Sequence, residues 1–270
     1  MIPLSRPPKL IEKKGNSAVF EIDALYPGYG VTVGNSLRRV LLSSLSGAAV
    51  TQMKIKGVSH EFSTLPGVLE DTILIMLNLK QLRFKVFTNE PQKAVLKVKG
   101  EKEAKGSDFD FPPQVELVNK NAHVATLTSK SAELEIEIQI EKGVGYSSRD
   151  ERGKEKLEVG VIPLDAIYTP TKRVSFRIEN MRVGERTDFD RLFLDIETDG
   201  TLSPEEALFQ ASEILVNHFS LLADAFRPKA APKPAVKEKP VKAKKAKKAK
   251  KGKKTKARSS GKRAAKKKKK

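Results

Sequence analysis

The 270-residue sequence contains no cysteine and no tryptophan, and only three histidines, His60, His123 and His218. Without cysteine there is no disulfide, no thiolate metal site and no cysteine nucleophile, a composition that fits a reducing compartment. The histidines lie far apart in the chain, so no HExxH or other local zinc pair exists and histidine catalysis has little to work with. Long apolar runs are also missing. The longest, at 73–77, falls far short of the roughly 20 residues that span a bilayer, and the first residues lack the apolar segment of a signal peptide. The expectation is a chain that is neither secreted nor membrane-spanning, with no membrane partner.

Charge is plentiful but divided. Lys and Arg number 52 against 33 Asp and Glu, a formal +19, yet residues 227–270 alone hold 23 basic residues and a single acid, Glu238. The first 226 residues are left with 29 basic and 32 acidic side chains, nearly neutral and long enough to bury a sizeable core. The tail has no aromatic residue, repeats Lys-Lys-Ala and carries Pro228, Pro232, Pro234 and Pro240. Such a segment cannot bury enough to fold alone and is expected to be disordered. A solubility tail and a nuclear address are the plainer readings of such a run, but its density of positive charge suits neutralisation of phosphates on a polyanion better, with Lys244, Lys245, Lys247, Lys248, Lys250, Lys251, Lys253 and Lys254 as the phosphate-binding candidates.

Within the body, Leu37, Val40, Leu41 and Leu45 recur at helical spacing and predict a helix over 35–45, capped by Asn35 or Ser36 and stopped by Gly47. Leu69, Ile73, Met76 and Leu77 predict a second over 67–80, with Glu70 and Asp71 near its positive end. Residues 50–57 read as a strand. Strict alternation at 134–140, at Val174, Phe176 and Ile178, and at Leu192, Leu194 and Ile196 predicts one-sided antiparallel strands. Segments 101–108 and 147–156 read as loops. From 203 to 226 a broad apolar stripe through Leu208, Ala211, Leu215 and Leu222 predicts a long terminal helix, with His218 in its seam.

Two motifs resemble ligand sites. Residues 195–206 place acids at calcium-loop positions 1, 3, 5 and 12 with Gly200 at 6. A strand precedes them, however, and Ser203-Pro204-Glu205-Glu206 is a helix start, so strand, turn and capping box account for the same residues. The glycines of 28–34 lead into a helix but lack the P-loop ending and the GxGxxG spacing; a turn allowing close helix packing explains them better than a nucleotide. No catalytic residues, metal ligands or cofactor site emerge in this chain.

The ordered blocks 28–44, 55–64, 77–80, 141–146, 168–174, 187–190 and 199–207 together resemble the alpha-subunit family of bacterial and plastid DNA-directed RNA polymerases. Val33 and Ser36 stand where that family usually has Leu and Ala. The resemblance covers 1–226 and implies an α+β fold of two subdomains. A helical dimerisation subdomain would comprise 1–46 and 172–226, a β-rich insertion 47–171, and the tail 227–270 would replace the family's usual helical carboxy-terminal domain.

What the resemblance implies is an assembly platform, part of a nucleotidyltransferase but without an active site of its own. Its partners would be a second copy, the catalytic beta and beta' subunits, and DNA through the tail. Leu37, Val40, Leu41, Leu208, Ala211, Leu215, Phe219 and Leu222 would form the dimer interface, and Arg39, Leu42 and Lys80 would contact large subunits. A reading from a different class makes the chain a histone-like DNA-binding dimer outside any polymerase.

Overall fold

The computed structural model is described for residues 2–152, 158 and 160–227, where alternation and helical periodicity build two larger antiparallel sheets, three two-stranded ones and the helices packed on them. In chain order the elements are β1 (Lys9–Lys14), β2 (Ser17–Leu25), α1 (Tyr29–Ser43), β3 (Ser46–Ile55), α2 (Thr72–Leu79), β4 (Phe84–Val86), β5 (Gln92–Lys99) and β6 (Lys102–Lys105). There follow β7 (Phe109–Asp110), β8 (Val115–Leu117), β9 (His123–Leu127), β10 (Glu133–Val144), β11 (Tyr146–Ser147) and the short α3 (Arg149–Arg152). The chain continues through β12 (Val161–Pro163), β13 (Ala166–Ile167), β14 (Thr171–Val183), β15 (Arg186–Thr198) and α4 (Pro204–Ala225). The fold is α+β with antiparallel sheets. The basic tail expected to be disordered lies, beyond Arg227, outside the described residues.

One sheet has the order β1-β2-β15-β14. Its registers stack three cross-strand rows: Val174, Ile196 and Ala18; Phe176, Leu194 and Phe20; Ile178, Leu192 and Ile22. These rows form an apolar floor on which α1 lies, because the period-two pattern puts all three on one face. The second sheet, β12-β3-β10-β5-β7, is built on the 134–140 alternation, with Ile136 opposite both Ile55 and Leu96, and Ile138 opposite Met53 and Ala94. Its core takes in Ile75 and Leu79 of α2.

The first helix begins six residues before the expected start, at Tyr29, with Gly28 rather than Asn35 or Ser36 as N-cap. The glycines read as a turn are inside it, and close approach is the reason. A Cβ on Gly34 would sit 2.9 Å from the Phe176 ring and 3.0 Å from Leu192, and one on Gly30 would meet the Asp190 carboxylate at 3.0 Å. Nor does Gly47 stop the helix. It belongs to β3, opposite Gly143 of β10, and Tyr168 lies over the pair. A Cβ on Gly47 would fall 1.8 Å from the Tyr168 carbonyl oxygen, and one on Gly143 would fall 2.6 Å from the Tyr168 ring. The chain therefore leaves α1 for the second sheet and returns toward β14 at neighbouring points.

The second helix is shorter than expected and turned about its axis. Asp71 caps it by accepting from the Leu74 N–H at 2.7 Å, and its buried residues are Thr72, Ile75 and Leu79. Leu69, Leu74 and Leu77 are exposed. Residues 101–108, expected as a loop, form β6 and a 3-10 turn, and 147–152 hold the end of β11 and α3. The remainder of the loop expected at 147–156 lies outside the described residues. The terminal helix starts as expected: Ser203 Oγ accepts from the Glu206 N–H at 3.2 Å, with Pro204 in the first turn.

Candidate assembly surface

Two sets of exposed side chains stand out, on different elements. The first is the distal half of α4. Its proximal residues Ala207 and Ala211 are fully buried against α1 and the first sheet, and Leu208, Ile214 and Leu215 are packed at the margin of that core. Beyond them Val216, Phe219, Leu221, Leu222 and Phe226 are all more than half exposed. A helix whose apolar stripe runs past the end of its own core leaves a face that water solvates poorly. Of the residues expected at a dimer interface, Leu37, Leu41 and Ala211 are covered within the same chain, Val40, Leu208 and Leu215 are half-buried, and only Phe219 and Leu222 are more than half exposed. His218 is exposed.

The second set joins α1 to α2. Arg38 and Arg39 are exposed on α1, off the buried Leu37–Leu41 stripe, and Leu42 is at the surface near its end. There Gly145 abuts the Ser43 carbonyl. Next to it β11 pairs with β13, setting Tyr146 opposite Ile167, and both of these are exposed along with Val144. Directly before β13, Asp165 receives the Lys80 ammonium at 3.2 Å and accepts from the Arg149 N–H at 3.0 Å. That backbone donor, more than Lys80 itself, holds the Asp165 carboxyl below its usual range, so it stays charged opposite Lys80. Arg149 in turn donates to Glu61 at 2.8 Å. Arg39, Leu42 and Lys80 are thus linked by a strip, Val144, Tyr146 and Ile167, that periodicity did not single out. The exposed Leu74 and Leu77 of α2 extend it.

The two motifs that resembled ligand sites are engaged internally. Asp195 and Glu197 face Arg173 at 3.7 and 3.3 Å, and Asp199 accepts from Thr201 N–H and hydroxyl at 2.9 and 2.6 Å. The Gly30 N–H donates to the buried Asp190 carboxylate at 2.9 Å, so the chain's own acid occupies the positive end of α1. No cluster of three or more His, Asp or Glu side chains arranged for a metal is found among the described residues. A cavity of about 810 Å³ on the outer face of the second sheet is lined by Lys56, Lys97 and Glu135. These charges pair with one another, Lys97 to Glu135 at 2.8 Å and Lys56 to Glu135 at 3.4 Å.

Comparison with known proteins adds to this geometry. Residues 53–169 match the family described as the RNA polymerase Rpb3/RpoA insert domain. The DNA-directed RNA polymerase subunit alpha of Roseiflexus sp. is 44% identical over 209 residues, which are 77% of this chain and 64% of that protein. The same subunit of Syntrophomonas wolfei is 46% identical over 217 residues, 79% of this chain and 68% of the relative. That of Symbiobacterium thermophilum is 47% identical over 202 residues, 75% and 64% respectively. The chain thus spans a little under two thirds of the Roseiflexus and Symbiobacterium proteins.

Proposed function

The chain belongs to the family of DNA-directed RNA polymerase alpha subunits, and from that premise we propose that it is a dimeric platform on which the catalytic beta and beta' subunits assemble for DNA-templated transcription. The catalytic residues and metal belong to the partner chains in this reading; this chain contributes surfaces and no active site. Residues 1–46 and 172–226 act as the dimerisation subdomain and 47–171 as the insertion. The compartment is the cytoplasm, at the nucleoid.

The observation that supports this best is the presence of two accessible surfaces of different character. The distal face of α4 is apolar, as a self-association surface should be at its centre. The Arg39-to-Lys80 strip mixes charge with Tyr146, Ile167 and Leu42, the composition of a heterologous interface. Arg39 can offer a planar fork of donors to a carboxylate or to carbonyl groups of a large subunit.

Arg39→Ala is expected to weaken capture of the large subunits at least tenfold while leaving the chain dimeric, because Arg39 is exposed and outside the core. Native mass measurement of the full chain, alone and mixed with the large subunits of the same source, checks it. A variant that captures the subunits as well as the parent does would remove Arg39 from the interface.

The tail is assigned to DNA phosphates. If about five to eight are engaged, its contribution to promoter affinity falls with a log–log salt slope of roughly −4 to −7. Polymerase assembled with a chain lacking 228–270 is expected to bind promoter DNA more weakly at low salt and with a shallower slope. Unchanged affinity and slope would exclude DNA contact by the tail.

A further inference from the structure

We propose that His123 is a proton-operated clasp that ties the turn before α2 to strand β6 through Glu70 and Glu103. The imidazole of His123, at the start of β9, sits between two carboxylates. Its Nε2 lies 2.8 Å from Glu70 Oε1 and its Nδ1 lies 3.1 Å from Glu103 Oε1. A neutral imidazole carries one N–H and can donate to only one of them; only the imidazolium donates to both. With the proton gone, one ring nitrogen and one carboxylate face each other lone pair to lone pair.

The two contacts differ in what else holds them. Glu70 is nearly buried and also accepts from the Thr126 N–H at 2.6 Å and its hydroxyl at 3.0 Å. Glu103 is half exposed and has a second partner in Lys105, at 3.3 Å. Deprotonation therefore leaves Nε2–H on Glu70 and leaves Glu103 with Lys105 alone, so what is released is the side-chain tie across the β6–β9 pair, whose backbone register sets Lys105 opposite His123. Other charges nearby are committed: Asp71 caps α2, Lys102 pairs with Asp108 at 2.6 Å, and α2 itself has no charged residue.

The electrostatics agree in direction. Burial lowers the His123 pKa, but Glu70 and Glu103 outweigh it and hold the ring above its ordinary 6.5. Burial likewise raises that of Glu70, and the Thr126 N–H with His123 brings it below its ordinary 4.5. The clasp's stabilisation is accordingly complete between those two ordinary values. It is lost as pH rises through the raised midpoint of His123, and also as pH falls through the lowered midpoint of Glu70. The Glu70 half keeps the turn leading to Leu74, Leu77 and Lys80 on β9 in both protonation states, together with the Leu69 N–H donating to the Thr126 carbonyl at 2.9 Å. The titration can be measured without any polymerase subunit.

The test is a ring-proton NMR titration of the full chain, whose three histidines are assigned with single His→Gln variants. Amide protection factors in β6 and β9 are measured above and below the His123 midpoint. His123 is expected to titrate above 6.5, to move down in both Glu70→Gln and Glu103→Gln, and to show protection of β6 falling at least threefold above its midpoint. Glu103→Gln, at an exposed position, keeps the test valid if the Glu70 variant fails to fold. A midpoint at or below 6.5, or β6 protection that does not change across it, overturns the proposal.

Discussion

Gly47→Ala is expected to destabilise the chain by about 4 kcal/mol or more, among the largest effects a single methyl group can have. The added Cβ would lie 1.8 Å from the Tyr168 carbonyl oxygen, and that oxygen belongs to a backbone held by the Tyr168 N–H donating to the Gly145 carbonyl at 2.9 Å. A side chain could swing aside, whereas here two backbone segments must part. Gly143→Ala is the informative comparison, since its Cβ meets the Tyr168 ring, which can tilt. Overpacking of that kind costs about 1–3 kcal/mol. Denaturant unfolding of the two variants against the parent checks the order; equal losses would show that the backbone collision is not the determinant.

The second large effect concerns association. Phe219→Glu combined with Leu222→Glu is expected to raise the dimer dissociation constant at least 1,000-fold, since the dimer would have to bury four carboxylates with no partners supplied. The fold itself should be nearly indifferent, within about 0.5 kcal/mol, because the two side chains are 61% and 56% exposed in the single chain. Light scattering should give a monomer mass with the circular dichroism spectrum unchanged, and an unfolding midpoint that falls below the parent's and no longer depends on protein concentration. A variant that stays dimeric would move the interface away from the distal face of α4.

Where a segment's local pattern and its tertiary contacts agree, the sequence was readable to the residue. Leu134, Ile136, Ile138 and Ile140 are all buried as alternation requires, and the Ser203 start of α4 follows from capping chemistry alone. The beginning of α1 was hidden because Gly30 and Gly34 read as turn residues, and only the proximity of Phe176 and Leu192, distant in sequence, explains them. On α2 nearly every position is apolar, so spacing could not choose the buried stripe, and the contact with β9 chose Thr72, Ile75 and Leu79. Glu70 looked like a charge at a helix end; its link to Thr126 and His123 spans more than fifty residues and leaves no local trace. Of the surface linking Arg39 to Lys80, the sequence offered the ends and not the strip between them, because exposed Tyr146 and Ile167 follow no period.

The neighbouring crossings at Gly47 and Tyr168 also bear on how the chain reaches this fold. The sheet beneath α1 takes β2 from one end of the sequence and β15 from the other, and its Arg191–Asp23 contact joins residues 168 apart. Closing so long a loop while the intervening segment is a coil costs about 4–5 kcal/mol in chain entropy before any strand pairing compensates. If the segment between the crossings has already collapsed around β3, β10 and β5, its two ends are held side by side and the loop still to be closed shortens to the 24 residues from Asp23 to Gly47 and the 23 from Tyr168 to Arg191, which lowers the closure cost by about 1 kcal/mol. The order of events that lowers the barrier is thus inside-out: the middle of the chain condenses first, and the two termini then find each other across it.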